Sequence, residues 1–177
     1  GLLAGDYLKE ASDSNTNIIG VGLLYRYGYF KQVLSASGEQ MSVSEPELFS
    51  NTPALPVHDE NGHFRKIRIV FPGRDLIARI WQVNVGRIKL YLLDTDVEEN
   101  ADSDRSITHH LYGGDNENRL KQEILLGIGG IRALRTMNFY PDVYHCNEGH
   151  AAFTLLERLR EYIQEFNRTY PEAVEIV

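Results

Sequence analysis

Hydrophobic and polar positions follow three different spacings along the chain, and each spacing predicts a different element. Residues 18–25 (IIGVGLLY) form an unbroken apolar run, which is typical of a strand buried on both faces of a parallel sheet. Residues 66–71, 76–85 and 88–93 carry alternating or β-rich patterns separated by glycine turns, which predicts three antiparallel strands. Apolar residues at helical spacing predict a long helix over 118–137.

Further elements follow from weaker patterns. Residues 3–11 are expected to be helical, residues 143–146 a short buried strand, and residues 151–166 a second amphipathic helix. Pro171 is expected to open a third helix. The apolar stripes of the two amphipathic helices consist of Leu120, Ile124, Ile128, Ile131 and Leu134 in the first, and Phe153, Leu155, Leu156, Leu159 and Ile163 in the second.

This order of elements predicts an α/β fold with an inserted antiparallel β subdomain, within a single partial domain. Residues 1–34 supply a helix and a buried strand, and residues 35–97 form the β excursion. Residues 98–117 are a polar, acidic loop with two adjacent glycines, which is expected to be mobile. Residues 118–177 then form helix, strand and helix.

Composition narrows the functional classes. The chain has 177 residues and a formal net charge of −7, whereas a protein that binds phosphate backbones would show a basic excess. Nucleic acid and anionic membranes are therefore poor candidate partners. No apolar run reaches the roughly 20 residues that a membrane span requires. The single cysteine, Cys146, favours a reducing compartment, and we expect a cytoplasmic location.

The residues around Cys146 allow several kinds of chemistry. His145, Cys146, Glu148 and His150 contain metal-binding side-chain types, but their spacing is not that of a zinc site, so no metal is expected. A metal-dependent hydrolase stays open as an alternative that needs further ligands. Cys146 beside a histidine permits a nucleophile, although its apolar surroundings favour an inert buried thiol.

Two short segments precede predicted helices and are candidates for ligand binding. Residues 147–150 (NEGH) would lie at the carboxyl end of a strand, where open α/β sheets bind ligands, although a plain polar helix cap explains them equally well. Residues 112–115 (YGGD) read more simply as a surface turn, in which Asp115 or Asn116 caps the next helix. The glycines at 127–130 (GIGG) indicate close helix packing rather than a dinucleotide loop.

Five stretches of the chain together resemble the α-glucan phosphorylases, the glycogen and maltodextrin phosphorylase family, and especially its shorter bacterial branch. They occur in family order over nearly the whole chain, and residues 33–65 match only loosely. The stretches are LAGDYLK at 3–9, GVGLLYRYGYF at 20–30, LLDTD at 92–96, LYGGD and RLKQE at 111–115 and 119–123, and HCNEGHAA at 145–152.

This resemblance implies part of the N-terminal, Rossmann-like domain of a GT-B glycosyltransferase. Members of the family use orthophosphate to cleave terminal α-1,4 bonds of a glucan and release glucose 1-phosphate with retention. The expected partners are α-1,4-glucan, phosphate, the C-terminal half of the enzyme and, in the parent, a second subunit of a homodimer. The expected cofactor is pyridoxal phosphate, whose attachment lysine belongs to the C-terminal half. The isolated 177 residues are expected to be inactive.

The resemblance also implies roles for individual residues. His150 resembles the histidine that contacts the glucosyl unit and supports positive charge near its C1, and Asn147 resembles the asparagine before it in the same loop. Tyr112, Asp115 and Asn116 resemble residues of the gate that closes over the catalytic site, with Asp115 as the acidic residue that yields its place to phosphate. Gly1 resembles the last glycine of a phosphate-contacting loop. The alternative is a non-catalytic carbohydrate-binding or interaction module on the same fold.

Overall fold

A mixed sheet flanked by helices organises residues 2–111 and 114–177, the part of the chain that the computed structural model describes. The strands are β1 (Ile19–Leu23), β2 (Lys31–Leu34), β3 (Gln40–Val43), β4 (Leu55–Pro56), β5 (Lys66–Phe71), β6 (Arg74–Val85) and β7 (Ile88–Asp94). The helices are α1 (Leu2–Asp13), α2 (Asp102–Arg105), α3 (Asn116–Ile124), α4 (Gly130–Thr136), α5 (Phe153–Gln164) and α6 (Tyr170–Ile176). The structure thus confirms a mixed α/β architecture. Within the described residues, no helix is both long and apolar enough to cross a bilayer.

The antiparallel strands belong to the same sheet as β1. β7 pairs in parallel with β1 and antiparallel with β6, while β5 and β4 pair with successive parts of β6. The prediction of a separate inserted β subdomain is therefore wrong for these strands, because β7 is hydrogen-bonded to both neighbours. The hairpin of β2 and β3 forms a small sheet of its own, and its strands are mostly exposed.

β1 is half-buried along its length, rather than buried on both faces as the apolar run predicted. It lies at the end of the strand order and so has one paired neighbour, β7. Its two glycines allow close approach from packed leucines. A Cβ on Gly20 would meet Leu90 at 2.9 Å and Leu8 of α1 at 3.3 Å, and one on Gly22 would meet Leu92 at 3.1 Å.

The hydrophobic core lies between the helices and the side of the sheet that faces them. β5, β6 and β7 contribute most of its residues. β5 shows strict alternation of exposed and buried positions, as predicted. The buried cluster consists of Ile67, Ile69, Phe71, Leu76, Ala78, Ile80, Tyr91, Leu93, Ile107, Leu125 and Ala133. One face of each strand therefore packs inward.

The predicted long helix is present, but it contains a π-helical segment, Leu125–Gly129, between α3 and α4. The predicted stripe is only partly correct: Ile131 and Leu134 are buried, whereas Leu120 is exposed. Gly127 packs directly on the first residues of α5, since a Cβ there would lie 2.6 Å from the Cβ of Phe153. This contact confirms that the glycine-rich segment serves close helix packing.

α5 is present as predicted, but it is rotated so that acidic side chains face inward. Glu157 and Glu161 are buried, while Leu155, Leu156 and Ile163 of the predicted apolar stripe are exposed. The buried carboxylates pair with arginines of α4: Arg132 with Glu157 at 2.8 Å, and Arg135 with Glu161 at 2.6 Å. Charge pairing, rather than apolar burial, therefore decides which side of α5 meets α4.

Residues 98–111 contain short helical elements that the sequence did not predict, while the predicted mobility of the stretch stays a prediction. They contain α2 and a 3₁₀ turn, Ser106–Thr108, and Ile107 is fully buried in the core. The buried carboxylate of Asp104 accepts from Arg74 Nη2 at 2.7 Å. The side chain of Asn100 bonds both backbone groups of Ile77, so this acidic stretch is fastened to β6.

Stability is expected to fall as the pH is lowered below about 5. The Arg74 guanidinium holds the pKa of Asp104 below its ordinary value, despite burial. Burial raises the pKa of Glu157, but Arg132 and Arg160 outweigh it and lower this pKa. Groups with a lowered pKa stabilise the fold above their unfolded pKa of about 4, and this stability is lost as they become protonated.

Denaturant titrations from pH 7 to pH 3 would measure this effect. Asp104→Asn should be less stable at pH 7 and should lose less stability on acidification, whereas Asp6→Asn, at an exposed position of α1, should follow the wild-type curve. If Asp104→Asn and the wild type lost the same stability on acidification, Asp104 would not be a cause of the pH dependence.

Candidate functional site

Two of the chain segments with predicted site residues lie at different points along the long helix. The first is the N-terminus of α3, which follows Asp115. The second is a 3₁₀ turn, Glu148–Ala151, which comes shortly before α5 and packs against α3 and the π-helical segment. Together they bring the predicted gate residues and His150 to neighbouring parts of one helix.

His150 lies between two carboxylates. Its Nδ1 is 3.7 Å from Oε1 of Glu123 on α3, and its Nε2 is 3.6 Å from Oε2 of Glu148 in its own turn. The same Oε1 of Glu123 accepts from Arg119 Nε at 3.2 Å. The His150 side chain is 35% exposed, so its position is defined by neighbours while one part of the ring stays accessible to a ligand.

Asp115 caps α3, as the sequence predicted. Its carboxylate accepts from the backbone N–H of Asn118 at 2.9 Å, and Asn116 is the exposed first residue of the helix. Asp115 lies eight residues before Glu123, which corresponds to about 12 Å along a helix. Among the described residues, no contact joins Asp115 to His150, which instead lies beside Glu123 at the other end of α3. Tyr112 and Gly1 lie outside the described residues.

The segment before His150 is not the buried strand that the sequence predicted. Residues 143–147 form no strand among the described residues, and Val143 is largely exposed. Its apolar residues alone do not form a strand, because no described neighbour supplies the backbone partners that a strand needs. The segment is placed instead by side chains, such as His145, whose ring lies parallel to that of Tyr7 of α1 at 6.3 Å.

The backbone in the 147–150 turn has one unusual residue. Glu148 has a φ of +59°, in the left-handed region that side chains other than glycine, asparagine and aspartate seldom adopt. Asn147, just before it, is extended and exposed. A strained residue beside His150 indicates that neighbouring contacts fix the shape of this turn.

Other candidate chemistry receives little support from the geometry. Cys146 is half-buried, and its Sγ lies 3.7 Å from the carbonyl oxygen of Ala151. Within the described residues, no group of three or more His, Cys, Asp or Glu side chains is arranged to hold a metal ion. These findings leave the polar cluster around His150 as the best-defined candidate site.

Two members of this cluster were absent from the residues predicted for the site. Glu123 and Arg119 belong to the RLKQE stretch, but nothing in their spacing pointed to His150. Their i, i+4 separation predicts an ion pair on a helix, which the structure contains. The link between Glu123 and His150 depends on tertiary packing of α3 against the 147–150 turn, and a sequence pattern does not show it.

Comparison with known proteins shows what the chain is similar to. No protein-family model matches the chain. The chain is 45% identical over 177 residues to maltodextrin phosphorylase of Thermococcus litoralis and 43% identical over 183 aligned residues to glycogen phosphorylase of Mycobacterium tuberculosis. It is 36% identical over 177 residues to glycogen phosphorylase of Aquifex aeolicus. Each alignment covers the whole chain, but the chain spans only 21%, 21% and 25% of these relatives.

The chain is therefore similar over its whole length to one segment of these phosphorylases. The chain is related along its whole length to a segment of the α-glucan phosphorylases, and the family resemblance drawn from its motifs is confirmed.

Proposed function

We propose that the chain is a segment of an α-glucan phosphorylase, a retaining glycosyltransferase that uses orthophosphate to remove terminal glucosyl units as glucose 1-phosphate. The observation that carries this proposal is the identity of 36–45% over the whole chain to maltodextrin and glycogen phosphorylases. Two of the stretches that carry the resemblance also contact each other, since Glu123 of α3 lies 3.7 Å from His150 of the 147–150 turn. The segment belongs, in this proposal, to the N-terminal GT-B domain.

His150 is the proposed contact for the glucosyl unit. Its ring is partly accessible and faces Glu123 and Glu148, so a sugar hydroxyl could replace one of these long contacts with a hydrogen bond. The nearby carboxylates also favour positive charge, which is the charge that develops on the sugar in an oxocarbenium-like transition state. Asn147, exposed in the same turn, offers an amide donor and acceptor to the sugar.

Asp115 and Asn116 are the proposed gate residues. The carboxylate of Asp115 caps α3, and Asn116 is exposed in the first turn of this helix. A phosphate that approached this helix N-terminus would compete with the Asp115 carboxylate for the same amide donors. This competition is a physical reason for an acidic residue to yield its place to phosphate.

The surroundings of the five lysines support a cofactor-binding lysine elsewhere in the enzyme. Lys9, Lys31, Lys66 and Lys89 are exposed, and Lys121 pairs with Glu117 at 2.6 Å, so no lysine of the chain lies in an enclosed site. We therefore propose that other parts of the enzyme bind this cofactor and that the 177 residues alone are inactive.

A phosphorolysis assay tests the proposed function. A protein that contains this segment at the full length of its relatives should release glucose 1-phosphate from maltodextrin only when orthophosphate is present. Binding of maltodextrin without any such release would favour the alternative, a non-catalytic carbohydrate-binding module. Release of glucose by hydrolysis without phosphate would contradict both.

His150→Ala should lower kcat/KM in this assay about thirtyfold, because a lost hydrogen bond of about 2 kcal/mol corresponds to that factor. Thermal unfolding should change little, since His150 makes only long contacts and is partly exposed. His63→Ala is the matched control, because His63 is highly exposed in the turn before β5. Activity of His150→Ala equal to that of the control would remove His150 from the site.

A further inference from the structure

The carboxyl ends of the parallel strands β1 and β7 meet at one edge of the sheet, and a charged cluster lies there. Asp96 follows β7 and accepts from Arg26, which follows β1, at 2.5 Å. Asp96 also accepts from Arg105 Nε at 2.8 Å, at the end of α2. The side chain of His109 approaches Asp96 to 3.7 Å, and Asp96 itself is only 10% exposed.

This cluster lies beside a backbone connection between two segments that are distant in sequence. The N–H of Arg26 donates to the carbonyl of Thr108 at 3.2 Å, and the N–H of Tyr27 donates to the carbonyl of His109 at 2.7 Å. The ring of Tyr27 stacks on His110 with centroids 4.5 Å apart. Residues 108–110 are thereby attached to the continuation of β1.

The same short segment is also attached to α3. Gln122, which is buried, donates from Nε2 to the carbonyl of Ile107 at 2.7 Å and to that of His110 at 3.1 Å. Residues 107–110 are therefore fixed on one side by the charged cluster and on the other by the helix that Asp115 caps. Only four residues separate His110 from Asp115.

We infer that Asp96 is a positioning residue. By binding both Arg26 and Arg105, it holds residues 107–110 in place. These four residues are the base from which the segment that ends at Asp115 and Asn116 begins. The kinetic part of this inference rests on the proposed function, whereas the structural part does not. Among the candidate substrate-binding residues that the structure describes, none is in contact with Asp96, so its effect passes through the backbone of the base.

The electrostatics of Asp96 agree with this role. Burial raises its pKa, but hydrogen bonds from Arg105 and the charges of Arg105, Arg26 and His109 outweigh burial and lower it. Asp96 is therefore ionised at neutral pH, and it can bind both arginines at once. Asparagine has nearly the same shape but no charge, and it would bind one arginine well at most.

Hydrogen exchange measured by mass spectrometry on the full-length protein tests the inference. In Asp96→Asn, peptides over residues 24–30 and 104–111 should exchange at least tenfold faster than in the wild type, while a peptide over 76–85 should not change. Asp102→Asn is the matched control. Asp102 also faces Arg105, at 3.8 Å, but its side chain is fully exposed. If Asp96→Asn does not fold, Arg26→Gln, at a partly exposed position, should show the same local pattern.

Kinetics separate positioning from general stabilisation. Asp96→Asn should raise KM for phosphate about tenfold and change kcat less than twofold, because the segment bearing Asp115 is displaced while His150 is not. Equal exchange in Asp96→Asn and Asp102→Asn, faster exchange across all peptides, or an unchanged KM for phosphate would overturn the inference. A wild-type protein without phosphorolysis would overturn the proposed function instead, and the exchange pattern would still decide the structural part.

Discussion

Replacing Arg135 with methionine is expected to lower the free energy of unfolding by about 3 kcal/mol, because it leaves the carboxylate of Glu161 buried with a weaker set of partners. Glu161 is 2% exposed and accepts from Arg135 at 2.6 and 3.0 Å and from Arg158 at 3.1 Å. Arg135 also donates to the carbonyl of Phe139 and to the hydroxyl of Tyr144. Urea denaturation at pH 7 would measure the loss.

Two further variants show whether buried charge is the cause. Arg160→Met removes an arginine that pairs with Glu157 and the exposed Glu165, and Glu157 keeps Arg132, so this loss should be smaller. The double variant Arg135→Met with Glu161→Leu should recover part of the stability, since a well-packed apolar pair often replaces a buried ion pair without loss. A double variant less stable than Arg135→Met would show that packing of Arg135, rather than its charge, stabilises this contact.

Gly127→Ala is expected to cost about 3 kcal/mol, at the upper end of the range for overpacked sites. Its new Cβ would lie 2.7 Å from the carbonyl carbon of Phe153 and 2.7 Å from the nitrogen of Thr154. These are backbone atoms, so α5 as a whole would have to move away from the long helix. The gain of roughly 1 kcal/mol from the higher helix propensity of alanine is too small to offset this.

Gly5→Ala provides the control for Gly127→Ala. Gly5 lies inside α1, and a Cβ there would meet no atom within 4 Å, so alanine should be neutral or slightly stabilising. Thermal unfolding of both variants would separate the helix-propensity effect from the packing effect. Similar melting temperatures for Gly127→Ala and the wild type would mean that α5 yields easily at this contact.

The sequence predicted those elements whose partners are close along the chain. The hairpins of β5, β6 and β7 follow from alternation and from turns at Gly73 and Gly86, both of which have positive φ. The cap at Asp115 follows from local side-chain chemistry. These features depend on residues that are neighbours in the sequence, so the pattern of a short stretch is enough to predict them.

Other features depend on contacts between residues that are far apart in the sequence, which the pattern of a short stretch does not show. The periodicity of α5 showed a helix, but its orientation depends on Arg132 and Arg135, more than twenty residues earlier. The sequence pattern of the acidic stretch 98–111 predicts a loop rather than α2, because the residues that hold this stretch, Arg74 among them, lie on β6. The pairing of His150 with Glu123 required the same kind of distant contact, so the motif supplied the candidate residue but not its surroundings.

The π-helical segment Leu125–Gly129 has a consequence for how this region tolerates changes of length. A π turn contains one residue more than the α-helical path it replaces, so deleting one residue there would restore a regular helix and leave α4 in nearly the same orientation relative to α3. Arg132 and Arg135 would therefore still face Glu157 and Glu161. Among homologous sequences, single-residue gaps between positions 125 and 129 should therefore occur together with the paired charges on α4 and α5, whereas a gap elsewhere in the long helix, which would rotate the following residues by about 100°, should be rare.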